Sequence, residues 1–268
     1  MGEFNPREQL GAVCDIARDA GRAILDVYER EFTVEEKEDH TLITAADRVG
    51  NEIICQKLEA LTPGVPMLTE ESAKVEHEKR KGWKRFWLVD PLDGTKEFIN
   101  RNGEFTVNIA LIDGNQPVLG VVYVPVTGLT YYAATGKGAF KQKGECEVQP
   151  IRARRFEGGK PIVVASRSHA GPETEAFLKN LGAHDIVTMG SALKFCLVAE
   201  GTADVYPRLG PTMEWDTAAA QCVVEVAGGR VTDLNRQPLT FNKPSLLNPS
   251  FLVCGAGDYD WYRHLPTL

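Results

Sequence analysis

Helical spacing of apolar residues dominates the start of the chain. Asn5 and Pro6 are typical of a helix start, and apolar residues then recur every three or four positions up to residue 27. A second helical pattern covers residues 46–61 and ends before Pro63. The pattern therefore predicts two amphipathic helices ahead of the first extended segments.

The period changes in the middle of the chain. Short segments rich in β-branched and aromatic residues follow one another, with Gly or Pro between them. They cover residues 86–90, 105–112, 117–124 and 129–135. We expect these segments to be neighbouring strands of a largely antiparallel sheet.

Strands and helices alternate in the rest of the chain. The predicted strands are 161–166, 185–189 and 203–207, and the predicted helices are 172–181, 191–200 and 214–227. The change in pattern falls at about residues 145–160. We therefore expect two closely packed halves, an N-terminal α+β half (residues 1–150) and a C-terminal α/β half (residues 151–268), in one layered α/β protein.

Composition and charge narrow the possible functions. The chain has 268 residues, 43% of them hydrophobic and 25% charged, which is typical of a globular protein with a buried core. Its formal net charge of −7 argues against general binding to nucleic acid polymers or anionic membranes. A negatively charged substrate would need local compensation, for which a metal site is suited.

Neither export nor membrane insertion is expected from the sequence. The N-terminal residues lack the apolar core of a signal peptide, and no apolar run is long enough to span a bilayer. The 6 cysteines are scattered, without the close spacing of zinc sites or redox motifs. We therefore expect reduced thiols and a cytoplasmic protein, with peripheral association at the inner membrane face and the oligomeric state left open.

The most informative motif is VDPLDGT at residues 89–95. A hydrophobic strand ends in Asp90, Pro91 turns the chain, and Asp93 follows, so both carboxylates can converge on one point. Mg²⁺ prefers such oxygen ligands, and the backbone carbonyl of Leu92 is a further candidate. Taken alone, however, Asp-Pro and Asp-Gly are ordinary turn sequences.

Further acidic residues occur before and after this motif. Asp47 and Asp216 lie near predicted helix starts, where the helix dipole favours a carboxylate for structural reasons. Glu70 and Glu71, taken alone, would be solvated loop residues. Their joint occurrence in this order is what favours a shared site.

The motifs LTEES (68–72), DPLDGTKEF (90–98) and EWDTAAA (214–220) together resemble the signature of the inositol monophosphatase-like superfamily. The resemblance extends over essentially the whole chain. It implies the layered α-β-α-β-α fold of inositol monophosphatases and sugar phosphatases, with mixed and antiparallel sheets. It also implies two or three Mg²⁺ ions, most of whose ligands lie in the N-terminal half. The implied ligands are Glu70, Asp90, Leu92 through its carbonyl, Asp93 and Asp216.

The resemblance further implies hydrolysis of a phosphate monoester by metal-activated water, without a phosphoenzyme. Glu70 would contact both metal and water, Thr95 would accept a hydrogen bond from that water, and Asp47 would orient it or receive its proton. The amides of Gly94 and Thr95 would receive the phosphate. Inhibition by Li⁺ is expected of the family.

Other segments are similar to the branch of 3′(2′),5′-bisphosphate nucleotidases (the CysQ group), which implies a role in sulfur assimilation. They are 93–112, SRSHA (166–170), GSALKFCLVAEG (190–201) and YPRLGPTMEWD (206–216). The implied substrate is 3′-phosphoadenosine 5′-phosphate, hydrolysed to AMP and phosphate, with its phosphosulfate analogue as a second possibility. Beside the metal ligands and the amides named above, the implied substrate-binding residues are Ser166, His169, Gly190, Lys194 and Arg208.

Two alternatives stay open at this point. One is an inositol or sugar phosphatase with the same metal core, and the other is a non-catalytic regulator that binds Mg²⁺ or a nucleotide. Two further expectations concern structure. Residues 76–85, a run of charges, are predicted to form an exposed loop, and Met213 and Glu214 are expected to vary without consequence.

Overall fold

The computed structural model describes residues 5–36, 42–72, 75–167 and 171–266. The α-helices are α1 (Pro6–Tyr28), α2 (Ala45–Leu61), α3 (His77–Arg80), α4 (Thr95–Ile99), α5 (Pro172–Leu181), α6 (Leu193–Ala199) and α7 (Glu214–Val226). Short 3-10 turns cover Glu70–Ser72 and Trp261–His264. The first helix begins as predicted, since the side chain of Asn5 accepts a hydrogen bond from the amide of Arg7.

The strands form two large sheets and one hairpin. In chain order they are β1 (Val34–Glu36), β2 (Leu42–Thr44), β3 (Met67–Thr69), β4 (Arg85–Asp93), β5 (Thr106–Asp113), β6 (Gln116–Val124), β7 (Leu129–Ala134), β8 (Gly138–Lys143), β9 (Gln149–Pro150), β10 (Ile162–Ser166), β11 (Asp185–Met189), β12 (Val205–Arg208), β13 (Arg230–Asp233) and β14 (Phe251–Cys254). β1 and β2 pair with each other as an antiparallel hairpin.

The first sheet has the order β3-β4-β5-β6-β7-β8-β9. Every neighbouring pair is antiparallel except β3 and β4, which are parallel. The prediction of a largely antiparallel sheet is therefore confirmed. Strand β5, an interior strand of this sheet, is buried along nearly its whole length, because helices cover both faces of the sheet.

The second sheet is mixed and has the order β11-β10-β12-β14-β13. β11, β10 and β12 are parallel, and helices alternate with these strands along the chain as predicted. β14 and β13 add an antiparallel pair at the other edge. These last two strands are absent from the sequence-based prediction.

Five layers follow from how the apolar residues pack. α1 and α2 cover one face of the first sheet. α6 and α7 lie between the two sheets and share one core with both. α5 and the C-terminal 3-10 turn cover the outer face of the second sheet. The predicted α-β-α-β-α sandwich is confirmed. The first sheet ends at Pro150 and the second begins at Ile162, but the central core belongs to both halves.

Two local predictions are wrong. Residues 76–85 are not a solvated loop, because they contain helix α3, whose Arg80 is only 2% exposed. Strand β4 does not stop at Asp90 either. It continues to Asp93 across a bulge, since Asp90 pairs with Asn108 and Asp93 pairs with Thr106.

No helix in the described segments is long and apolar enough to span a lipid bilayer. The six cysteines, all of which lie in described segments, are free thiols.

Candidate active site

A cavity of about 380 Å³ opens where the two halves meet. Its walls come from the end of β4, the first turns of α4, α6 and α7, and the end of β12. Most of the residues predicted for the site line this cavity. They are Glu70, Asp90, Leu92, Asp93, Gly94, Thr95, Ser166, Lys194, Arg208 and Asp216.

The bulge in β4 brings the two carboxylates of the central motif to the same cavity. The amide of Leu92 donates to Oδ1 of Asp90 over 3.0 Å, which fixes the turn through Pro91. On the neighbouring strand, Nδ2 of Asn108 donates to Oδ2 of Asp93 over 3.3 Å. One extra residue on β4 relative to β5 therefore makes Asp90 and Asp93 face the same space.

The other two acidic residues reach the cavity from separate elements. Glu70 begins the 3-10 turn that follows β3. Asp216 lies in the first turn of α7, and its Oδ2 accepts a hydrogen bond of 2.8 Å from the amide of Met213. This bond caps the helix and holds the carboxylate at the cavity wall.

The acidic residues of the cavity strongly influence one another's ionisation. Burial raises the pKa of Asp90 well above its ordinary range, and the charges of Glu70, Asp93 and Asp216 raise it further. Burial and the charge of Asp93 likewise raise the pKa of Asp216. Burial raises the pKa of Asp93 also, against the lowering effect of Lys194. A cation placed among these carboxylates would offset both the cost of burying their charges and the repulsion between them.

The donor set fits a hard divalent cation. All the side-chain donors are carboxylate oxygens, which Mg²⁺ prefers. Among the described residues, no three His, Cys, Asp or Glu side chains converge closely enough to enclose an ion by themselves. Further ligands would have to come from a carbonyl such as that of Leu92, from water, or from the substrate, which is usual for Mg²⁺.

Asp47 is buried at the start of α2 and is not among the residues that line the cavity. Its Oδ2 accepts hydrogen bonds from the amide and the hydroxyl of Thr44, at 2.7 and 2.8 Å. Burial raises the pKa of Asp47 to about 6, against the lowering effect of the bonds to Thr44, while the charge of Glu71 raises it further. The structural role of Asp47 as a helix cap is evident, and its catalytic role stays a prediction.

Lys194 is buried in the cavity wall, with 8% of its surface exposed. Its Nζ donates to the carbonyl of Ser191 over 2.6 Å and lies 5.7 Å from the centre of the Tyr206 ring. Burial lowers the pKa of Lys194 to about 8, although the charge of Asp93 acts in the opposite direction. Arg208 is close enough to lower this pKa as well. The cavity therefore has a cationic side facing an acidic one.

The remaining predicted substrate residues are placed differently. Gly190 does not line the cavity, and its amide donates to Oε2 of Glu104 over 2.8 Å. A Cβ on Gly190 would lie 2.6 Å from Cγ of Glu97 and 2.9 Å from the carbonyl oxygen of Glu104, so this position needs glycine for the close approach of two loops. His169 lies outside the described residues.

Several cavity residues are missing from the sequence-based prediction. Ser191 follows Gly190 and has a positive φ of 45°, an unusual conformation that places its carbonyl on Lys194. Glu97 is a buried acid on α4. Both lie inside motifs that were already informative, GSALK and DGTKEF. The other additional lining residues are Lys96, Ala192, Phe195, Tyr206, Pro211, Thr212 and Thr217.

The chain is similar to known proteins over most of its length. Residues 5–261 match the Inositol monophosphatase family. The chain belongs to the inositol monophosphatase family. The 3′(2′),5′-bisphosphate nucleotidase CysQ of Escherichia coli strain K12 is 51% identical over 248 residues, which cover 91% of this chain and 98% of that protein. The CysQ of Haemophilus influenzae is 38% identical, with 94% of each chain covered.

Solved structures of the inositol monophosphatase family show the same fold. CysQ from Bacteroides thetaiotaomicron matches with a TM-score of 0.83 and 41% identity, covering 94% of this chain and 98% of that one. The inositol monophosphatase from Anabaena matches with a TM-score of 0.77 and 24% identity, covering 98% of each chain. The second match supports the fold alone.

Proposed function

We propose that the protein is a Mg²⁺-dependent phosphatase that removes the 3′-phosphate of 3′-phosphoadenosine 5′-phosphate and releases AMP. The phosphosulfate analogue is a second substrate. The observation that carries this proposal is the two-sided cavity, in which four carboxylates face a buried lysine and an arginine. The nucleotidase names of relatives up to 51% identical support the same substrate class.

The acidic side is proposed to hold the metal. Glu70, Asp90, Asp93 and Asp216, with the carbonyl of Leu92, are the ligands, and the number of ions is two or three. When bound, Mg²⁺ neutralises charge on the phosphate and lowers the pKa of water. Mg²⁺ dependence is general in this family.

The residues next to the acidic side position the reacting groups. Gly94 and Thr95 line the cavity at the start of α4, and their amides are proposed to bind phosphate oxygens. Thr95 is proposed to accept a hydrogen bond from the attacking water. Asp47, whose pKa is raised to about 6, is ionised at neutral pH and is the proposed acceptor for the proton of that water.

The cationic side is proposed to bind the 5′-phosphate, which the metal does not contact. Arg208 donates through Nη2 to the carbonyl of Pro211 over 2.8 Å, while its buried Nε has no partner within the described residues. A phosphate oxygen would satisfy that donor. Lys194 adds a positive charge behind it, and Ser166 contributes a hydroxyl at the cavity edge.

The test is phosphate release from 3′-phosphoadenosine 5′-phosphate and from inositol 1-phosphate at equal concentrations, with Mg²⁺ and with EDTA. The proposal predicts a large preference for the nucleotide and no activity with EDTA. A preference for the inositol ester would retain the carboxylate assignments and overturn those of Lys194 and Arg208. Activity on neither substrate would contradict the catalytic assignment.

A further inference from the structure

Glu214 is a completely buried acid directly behind the cavity, with 0% of its surface exposed. Its Oε1 accepts hydrogen bonds from the amide and the Nζ of Lys243, at 3.0 and 2.7 Å. Its Oε2 accepts a bond of 2.7 Å from the amide of Asn242. Such a fully bonded buried carboxylate holds two chain segments together. The expectation that Glu214 could vary freely is therefore wrong.

Glu214 begins helix α7, two residues before Asp216. Successive residues of an α-helix are rotated by about 100°, so side chains two apart point in nearly opposite directions. Asp216 faces the cavity, whereas Glu214 is fixed in the protein behind it. The bonds of Glu214 thus help to fix the rotation of the first turn of α7, and with it the position of the Asp216 carboxylate.

Residues 242–248 wrap around this helix start. The amide of Glu214 donates to the carbonyl of Leu246 over 2.9 Å. Nδ2 of Asn248 donates to the carbonyl of Met213 over 2.8 Å and to the hydroxyl of Thr217 over 3.1 Å. Lys243 connects the two ends of the segment, since its Nζ also donates to Oδ1 of Asn248 over 3.1 Å.

The same segment is tied to α3. The guanidinium of Arg80 donates to Oδ1 of Asn242 over 2.9 Å and to the carbonyl of Pro244 over 3.0 Å. Glu214 is close enough to act on Arg80 electrostatically, and raises a pKa that burial lowers. Two buried or half-buried cations, Arg80 and Lys243, therefore balance the charge of Glu214.

We infer that Glu214 is a positioning residue for the metal site: its bonds to Lys243 and Asn242 hold Asp216 in the orientation that binds Mg²⁺. The inference rests on the proposed role of Asp216 as a metal ligand. Residues that hydrogen-bond directly to a metal ligand commonly contribute about 10- to 100-fold to metal affinity, and a residue that acts through the backbone is expected at the lower end of this range. Glu214 acts through the backbone of α7 and does not contact the metal.

The test is isothermal titration of Mg²⁺ alone into wild-type protein and into Glu214→Gln. The amide keeps the size of the side chain but removes the charge and turns one acceptor into a donor. We expect affinity for Mg²⁺ to fall about tenfold, with turnover recovered at saturating Mg²⁺ and KM for the nucleotide unchanged. Unchanged Mg²⁺ affinity in this variant would overturn the inference.

Glu200→Gln is the matched control. Glu200 also joins distant elements, through bonds from Tyr131 and Lys141 to its Oε2 at 3.1 and 2.9 Å, but it does not line the cavity. Its substitution should lower the unfolding temperature and leave Mg²⁺ affinity unchanged. An equal loss of Mg²⁺ affinity in Glu200→Gln would mean that general loosening explains the effect, and would overturn the role of Glu214.

Two further variants keep the test decisive. If Glu214→Gln does not fold, Lys243→Met is the alternative, because it removes the Nζ bond and leaves the two backbone bonds to Glu214. Lys243→Met should also weaken Mg²⁺ binding. Unchanged Mg²⁺ affinity in this variant would overturn the inference. Asp216→Asn tests the underlying assignment. Unchanged Mg²⁺ affinity in Asp216→Asn would overturn the ligand role of Asp216, and the inference with it.

Discussion

Two regions of the molecule bury carboxylates in opposite ways. At the start of α7, Glu214 accepts three hydrogen bonds and is balanced by Lys243 and Arg80. In the cavity, Asp90 is equally buried, but its nearest charges are those of other acids. The charge of Glu214 is balanced by the protein itself, whereas the charges of the cavity acids would be balanced only by a bound cation.

This difference indicates how a structural acid can be distinguished from a ligand. Burial alone does not separate them, because Glu214 and Asp90 are both less than 2% exposed. The groups that surround each carboxylate do distinguish the two roles. A carboxylate surrounded by N–H donors and cations stabilises the fold, whereas carboxylates that repel one another are retained for a function.

The largest effect is expected from Asp90→Asn. Removing this charge should reduce kcat/KM by about 10³-fold or more, since metal-based charge stabilisation contributes several kcal/mol. The same change should raise the unfolding temperature in EDTA, because it relieves repulsion with Glu70, Asp93 and Asp216. Steady-state kinetics and thermal unfolding in EDTA measure the two effects.

The control for Asp90→Asn is Asp113→Asn. Asp113 is a partly exposed acid near the other end of the same strand pair, where it pairs with Arg85. The Asp113→Asn variant should keep normal turnover. Near-normal turnover of Asp90→Asn at saturating Mg²⁺ would remove Asp90 from the metal site.

A smaller effect is expected from Lys194→Met, which tests the cationic side of the cavity. A hydrogen bond to a charged group contributes about 1.5–3 kcal/mol, so KM for 3′-phosphoadenosine 5′-phosphate should rise about 10- to 100-fold. Hydrolysis of p-nitrophenyl phosphate, which has one phosphate, should be largely spared. Equal losses on both substrates would show that Lys194 acts through its neighbour Asp93 instead of binding the second phosphate.

The smallest effect concerns Glu225, a half-buried acid that does not line the cavity. Burial raises its pKa from 4.5 to about 7, partly offset by a hydrogen bond from Gln221. The neutral form is therefore favoured in the folded protein. The contribution of Glu225 to the free energy of unfolding is therefore greatest below about pH 4.5 and is lost as the pH rises to about 7.

Glu225→Gln should remove this part of the pH dependence while activity stays unchanged. Urea unfolding at several pH values compares the two proteins. An equal difference in unfolding free energy between the wild-type protein and Glu225→Gln at pH 5 and at pH 8 would contradict this role of Glu225.

Most of the fold, and the acidic side of the site, could be predicted from local motifs and from the periodicity of apolar residues. The turn around Pro91 indicated that Asp90 and Asp93 converge, although the bulge that achieves it depends on pairing with Asn108 and Thr106 across the sheet. β13 and β14 are short strands that follow the last predicted helix, and β14 is placed by its pairing with both β12 and β13.

The burial of Glu214 and Arg80 could not be predicted from the sequence, because it depends on contacts between residues far apart in the chain. Glu214 and Lys243 are 29 residues apart, and Arg80 and Asn242 are 162 apart, so neither pair has a local pattern. Arg80 lies in a run of charges that is ordinarily solvated. Its burial follows only from the return of residues 242–244 to α3.

The most direct test of the cavity as a metal site is calorimetric titration of Mg²⁺ into the wild-type protein at mildly acidic pH. It is done in two buffers of different ionisation enthalpy. Because burial and mutual repulsion raise the pKa values of Asp90, Asp93 and Asp216, binding should release protons, and the measured heat should differ between the buffers. Equal heats in both buffers, or no binding at all, would contradict the assignment of these carboxylates to the metal.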